Sequence, residues 1–173
     1  MDASDFAYLA ATCAPAIHVQ TTAALVHVES AFNPWAIGVV GGSLLRQPRS
    51  RGEALGTARA LQAAGWDFSI GLGQINVRNF KRLGLTLETA FEPCINLSAM
   101  QAVLFDCFTR ANTIVTRSKQ QALRPALSCY YSGNFVTGIK HGYVARVVAA
   151  AATARQLVPL SPDIPTTSSK ENP

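Results

Sequence analysis

Glu29 is the residue of this sequence to which a chemical task is most readily given. Leu25, Val26 and Val28 mark a helix from about Thr21 to Ser30, and Asn33-Pro34 must stop it, because the residue before a proline avoids the helical region. Glu29 therefore sits in the last turn, facing the negative end of the helix dipole, which disfavours its ionised form. Desolvation by Val28, Phe32 and Trp35 would act in the same direction, as a general acid working near neutral pH requires. The next acids along the chain are Glu53 and Asp67.

Two further segments carry groups suited to recognition. Gly71-Leu72-Gly73-Gln74-Ile75-Asn76 opens on glycines but has no third glycine and no following Lys-Ser/Thr, so it does not read as a phosphate loop. Its amides, Gln74 and Asn76, can each donate and accept, which suits sugar hydroxyls and acetamido groups. Cys129-Tyr130-Tyr131-Ser132-Gly133-Asn134 places two adjacent phenols at a helix end, where rings can line a sugar cleft or pack in a core.

The elements that must position these groups are mostly helical, since apolar residues return at three- and four-residue steps. Phe6, Leu9 and Ala10 predict a first helix ended by Pro15. Ala54, Leu55, Ala58 and Leu61 predict another, capped by Gly65. Leu97, Met100, Leu104 and Phe108 share one face of a long central helix beginning at Pro93. Ser118 with Gln121 reads as a capping box for a helix that Pro125 should kink or restart before Gly133, and a final helix runs from Tyr143 to about Leu157. Ile37 to Leu45 reads as a short hairpin turning on Gly41-Gly42, and residues 66–70 as a brief extended segment. The expected fold class is mainly α: a helical bundle around a central helix with a small β-hairpin, forming one domain over 1–157. The Pro-, Ser- and Thr-rich stretch 158–173 is expected to be a disordered tail.

Composition narrows the classes. With 49% hydrophobic and 14% charged residues, the 173-residue chain can bury a core without metal or partner. Its net charge of +5 favours an anionic partner, but the basic residues are scattered, with no stripe interleaved with aromatics, so nucleic acid is not the expected ligand. Cys13, Cys94, Cys107 and Cys129 include no Cys-x-x-Cys pair and no histidine at ligand spacing, which argues against zinc. As sequence they read equally as disulfides or buried thiols. The acidic start, Met1 to Asp5, does not read as a signal peptide. Cys13 follows no basic or long apolar segment, which argues against a lipid-attachment site. Val144 to Ala154, interrupted by Arg146, is too short for a membrane span.

Taken together, three fragments resemble the lytic transglycosylases of the soluble-transglycosylase, lysozyme-like superfamily. That family shows a helix ending in Glu-Ser, here Glu29-Ser30; then Gly-Leu-Met-Gln-Ile, here Gly71-Leu72-Gly73-Gln74-Ile75; then Ala-Tyr-Asn-x-Gly, here Cys129-Tyr130-Tyr131-Ser132-Gly133. Order and spacing agree from about Tyr8 to Ala150. Within the superfamily the chain is most similar to the transglycosylase component of type IV secretion and conjugation systems, through Cys13-Ala14-Pro15, Ala36-Ile37-Gly38-Val39, Leu45-Arg46-Gln47-Pro48, Ser69 to Asn76 and Glu92-Pro93-Cys94-Ile95-Asn96-Leu97. Two departures stand out: Gly73 replaces the usual Met, as is common in this branch, and Tyr131 stands where most members have a substrate-binding Asn.

The resemblance implies a two-lobed lysozyme fold with the cleft between lobes, a periplasmic location, no cofactor and a monomer acting on peptidoglycan glycan strands, with secretion-channel components as further partners. It implies Glu29 as the catalytic acid and Ser30, Ser69, Gly71, Leu72, Gln74, Asn76, Tyr130 and Tyr131 as substrate contacts. It also implies a Cys13–Cys94 disulfide, leaving Cys107 and Cys129 as a second pair or free thiols. Two rivals are a hydrolytic muramidase in which Asp67 positions water, and a wall-binding assembly protein without turnover.

Overall fold

The computed structural model describes residues 3–114 and 119–157. The expected tail from residue 158 and the capping residue Ser118 lie outside them. Helices α1 (Ala3–Cys13) and α2 (Val19–Ser30) lead into β1 (Ile37–Val39) and α3 (Arg51–Ala63). Strands β2 (Phe68–Ile70) and β3 (Ile75–Asn76) follow, then a 3-10 turn over Val77–Asn79 and two short helices, α4 (Phe80–Leu83) and α5 (Leu87–Ala90). The remainder is helical: α6 (Pro93–Ile114), α7 (Lys119–Ser132), α8 (Thr137–Lys140) and α9 (Tyr143–Leu157). The fold is thus mainly α with a small antiparallel sheet.

The central helix is α6. Leu97, Met100, Leu104, Cys107 and Ala111 are buried at alternating three- and four-residue steps, and Phe108, expected on this face, lies only partly buried beside it. Helix α6 packs chiefly on α7 and α1, while α2 packs on α9. Pro125 neither restarts nor ends α7, which runs through it. The lost N–H is offset by the burial of Ala122, Ala126, Leu127 and Cys129 on the same helix. Two disulfides tie the helical body, Cys13–Cys94 between α1 and the start of α6, and Cys107–Cys129 between α6 and α7.

The expected hairpin over Ile37–Leu45 does not form. The glycines do turn the chain, with Gly41 at φ 72° and the Gly42 N–H on the Val39 carbonyl, but residues 40–50 form no return strand. Strand β1 pairs instead with β2, in the register Ile37–Ile70, Gly38–Ser69 and Val39–Phe68. Its other side is closed by one side chain: Gln47 accepts from the Ile37 N–H at 2.8 Å and donates to the Ile37 carbonyl at 2.9 Å. The hairpin in the molecule joins β2 and β3 across Gly71–Gln74, with Ser69 opposite Asn76 and Ile70 opposite Ile75. The period of two places Ile37, Ile70 and Ile75 in the core and Gly38, Ser69 and Asn76 on the opposite face.

Candidate active site

That outward face of the sheet forms one wall of a cleft of about 1110 Å³, and residues of α6, α7 and α8 form the other. Glu29 lies in it. Helix α2 ends just beyond, where Ala31 (φ 50°) and Phe32 (φ 62°) both take the left-handed conformation that non-glycine residues avoid. The Ala31 N–H still bonds the His27 carbonyl, and the Asn33 side chain accepts from the Trp35 N–H at 2.9 Å, so the reversal is held on both sides. Gln74, on the facing wall, is the other non-glycine residue at positive φ among those described (48°). Such strain survives only where the surroundings over-determine it.

The half-buried Glu29 carboxylate accepts a hydrogen bond from the Tyr143 hydroxyl at the start of α9. Burial pushes its pKa up to about 7, against the opposing effects of that hydrogen bond and of the Arg146 charge. The direction is the one expected from sequence. The Phe32 ring meets Phe6 edge-on at 4.9 Å and lies near His27, and the groups that act electrostatically on Glu29 include Tyr143, Tyr130 and Arg146. Burial raises both phenols above their ordinary pKa, so Tyr143 remains a donor at any pH of interest. Tyr143 is itself held in a layer, with the Tyr131 ring stacked on it at 4.6 Å and the Arg146 guanidinium 5.9 Å from its centroid.

The loop bearing Gln74 is fastened by Asn96, a fully buried polar side chain on α6. It accepts from the Gly73 N–H at 2.7 Å and donates to the Ile70 and Ala90 carbonyls at 3.1 and 2.7 Å. A Cβ on Gly71 would lie 2.2 Å from the Asn96 amide nitrogen, and one on Gly73 would lie 2.9 Å from Met100, so both glycines are set by close approach to α6. Tyr130 reaches across from α7 and donates its hydroxyl to the Gly73 carbonyl. The Gln74 amide donates to the Ala36 and Gly71 carbonyls, and its oxygen occupies the space that a side chain at position 38 would fill.

This combination of loop, helix-end carboxylate and paired phenols coincides with a family match: the Transglycosylase SLT domain covers residues 6–145. The chain belongs to the transglycosylase SLT family. It is also 48% identical over 164 residues to the type IV secretion system protein virB1 of Brucella suis, covering 92% of this chain and 69% of that protein. Protein virB1 of Rhizobium radiobacter is 38% identical over 161 residues, covering 92% of this chain and 64% of the relative. No solved structure gives a significant match.

Of the substrate contacts expected from sequence, this SLT domain brings Ser69, Gln74, Asn76, Tyr130 and Tyr131 to the cleft with Glu29. Ser30, Gly71 and Leu72 stand behind its wall. The Ser30 hydroxyl donates back to the Val26 carbonyl at 3.1 Å, Gly71 lies under Asn96, and Leu72 is fully buried. Asp67 also lines the cleft, but Arg78 pairs with it at 2.8 Å and the Asn76 amide donates to it at 2.8 Å. Sequence reasoning missed Tyr143 and Asn96 as parts of the site. For Asn96 a signal existed, an amide on the buried face of the central helix, four residues before Met100.

Proposed function

We propose that this domain is a peptidoglycan lytic transglycosylase in which Glu29 does the acid–base chemistry alone. Near neutral pH a carboxyl titrating at about 7 is available in both forms, as acid for the glycosidic oxygen and then, as base, for the muramic acid 6-hydroxyl. Attack of that hydroxyl on the anomeric carbon closes a 1,6-anhydro ring, with the substrate's acetamido group stabilising the developing cation. The observation that carries this reading is the contrast among the cleft carboxylates. Half-buried Glu29 has only a phenol bonded to it among the described residues, whereas Asp67 and Asp106 are paired with Arg78 and Arg110. A carboxylate tied to a guanidinium and an amide is poorly placed to direct a water, which weighs against the muramidase alternative.

The family and the type IV secretion relatives support the wider reading, that the domain opens the periplasmic wall locally for a secretion channel, meeting glycan strands and channel components. No helix among the described residues is long and apolar enough to cross a membrane. Mass analysis of muropeptides released from sacculi tests the chemistry. The expected product is lighter by one water than a reducing-end product, and Glu29→Gln should reduce turnover by about a hundred- to ten-thousand-fold. Reducing-end products, lost on Asp67→Asn, would overturn the proposal in favour of a muramidase.

A further inference from the structure

We infer that Arg82, with Arg78 beside it, forms a carboxylate-binding subsite on the sheet-side wall of the cleft. The subsite takes the 3-O-lactyl arm of muramic acid or the peptide that extends it. This rests on the glycan-cleaving reading above and adds to it a reason for selecting muramic acid over a neutral sugar.

Asp67 is neutralised by Arg78 at 2.8 Å and Asp106 by Arg110 at 3.1 Å. Arg82 lines the same cleft and has no carboxylate partner among the described residues. A protonated Glu29, the form that begins catalysis, adds no negative charge, so the cleft then presents Arg82 as its uncompensated cation.

Local structure holds that cation ready. Arg78 and Arg82 are four residues apart on the continuous turn formed by Val77–Asn79 and α4, so they project from one side. Asn79 occupies the N-cap position of α4 yet makes no side-chain cap hydrogen bond. Its oxygen instead accepts from the Arg82 guanidinium at 3.3 Å, which orients the fork and leaves its remaining N–H groups for a ligand. The Arg78 side chain is 78% exposed while its Nη2 atom holds Asp67, so its other donors also face solvent in the cleft. Guanidinium is the group suited to planar, two-point recognition of a carboxylate. In a glycan of alternating N-acetylglucosamine and N-acetylmuramic acid, only the lactyl arm carries one, either directly or on the amino acids attached to it.

The test is binding, measured by titration calorimetry in a Glu29→Gln background so that no ligand is consumed. Four hexasaccharides of matched length serve as probes: neutral chitohexaose, the alternating oligomer with free lactyl carboxylates, the same oligomer capped as lactyl amides, and one bearing L-Ala-D-isoglutamate stems. The carboxylate-bearing oligomers should bind more tightly than the neutral ones. Arg82→Ala should cut that preference by about three- to tenfold, and Arg82→Lys by less, because the charge remains and the fork is lost. Half-molar salt should erase the difference. Sensitivity of the free-lactyl oligomer assigns the subsite to the lactyl group itself; sensitivity confined to the stem-bearing oligomer assigns it to the peptide. Equal loss for charged and neutral oligomers, or no loss for either, overturns the subsite while leaving the glycan-cleaving reading intact. Failure of every oligomer to bind the parent protein overturns both.

Discussion

Replacing Glu29 by Gln should stabilise the folded protein, increasingly so as the pH rises. Burial lifts the Glu29 carboxyl from 4.5 to about 7 in the folded chain, so folding favours its protonated form. A raised carboxylate stabilises fully below its unfolded pKa, and that stability is lost as the pH climbs through the folded value. The gap between 4.5 and about 7, at about 1.4 kcal/mol per pH unit, corresponds to a penalty of about 3 kcal/mol once Glu29 is fully ionised, and to about 2 kcal/mol after allowance for its partial exposure. Glutamine has nearly the same shape, its oxygen can still accept from the Tyr143 hydroxyl, and it never ionises.

Urea denaturation of both proteins between pH 4 and pH 8.5 measures the difference directly. The two should be nearly equally stable at pH 4, and the variant should gain progressively, with most of the change falling between about pH 4.5 and about pH 7. As the pH rises through about 7, kcat/KM of the parent protein should fall as the acid loses its proton. A stability difference that stays constant across the range, or one that favours glutamate at high pH, would refute the claim that burial perturbs this carboxyl.

Tyr143→Phe removes the hydroxyl that holds the Glu29 pKa down, so the basic limb of the pH–rate profile should move upward from about 7, read by wall turnover against pH. Asn96→Ala would strip partners from the Gly73 N–H and the Ile70 and Ala90 carbonyls in the interior, and should lower the unfolding free energy by about 3 to 5 kcal/mol in urea titration. Alkylation of the denatured, non-reduced chain should label no cysteine, since all four are paired. Reduction should then cost about 4 to 5 kcal/mol for the bond spanning 81 residues and about 3 kcal/mol for the one spanning 22, on chain entropy.

Much of the helical frame was legible because its signals are local. The stop at Asn33-Pro34 puts Glu29 in a last turn, Pro93 opens the long helix as its first residue, and Gly65 (φ 75°) follows α3. The sheet was not legible for the opposite reason. The partner of β1 lies some thirty residues further on, and the side chain closing its other edge, Gln47, looks like any loop glutamine. A glycine pair after an apolar run favours a turn whether or not a strand returns from it. Tyr143 was invisible as a site residue because its role depends on α9 packing against α2, which joins two positions 114 residues apart.

The residues around Glu29 act in opposition, and their balance is what suits the carboxyl to its proposed task. Burial drives the proton on, while the Tyr143 hydroxyl and the Arg146 charge ease it off. Burial alone would leave Glu29 a strong holder of its proton and a reluctant acid; the hydrogen bond and the charge without burial would leave it ionised. At about 7 the same group can give a proton and take one back within a single turnover. Tyr131 belongs to this balance through its neighbour: its ring covers Tyr143 at 4.6 Å while the residue remains 44% exposed at the cleft. An asparagine there could hydrogen-bond a sugar but could not offer that stacked face. Tyr131, where the family motif usually has Asn, thus supplies a ring that covers the tyrosine bonded to Glu29.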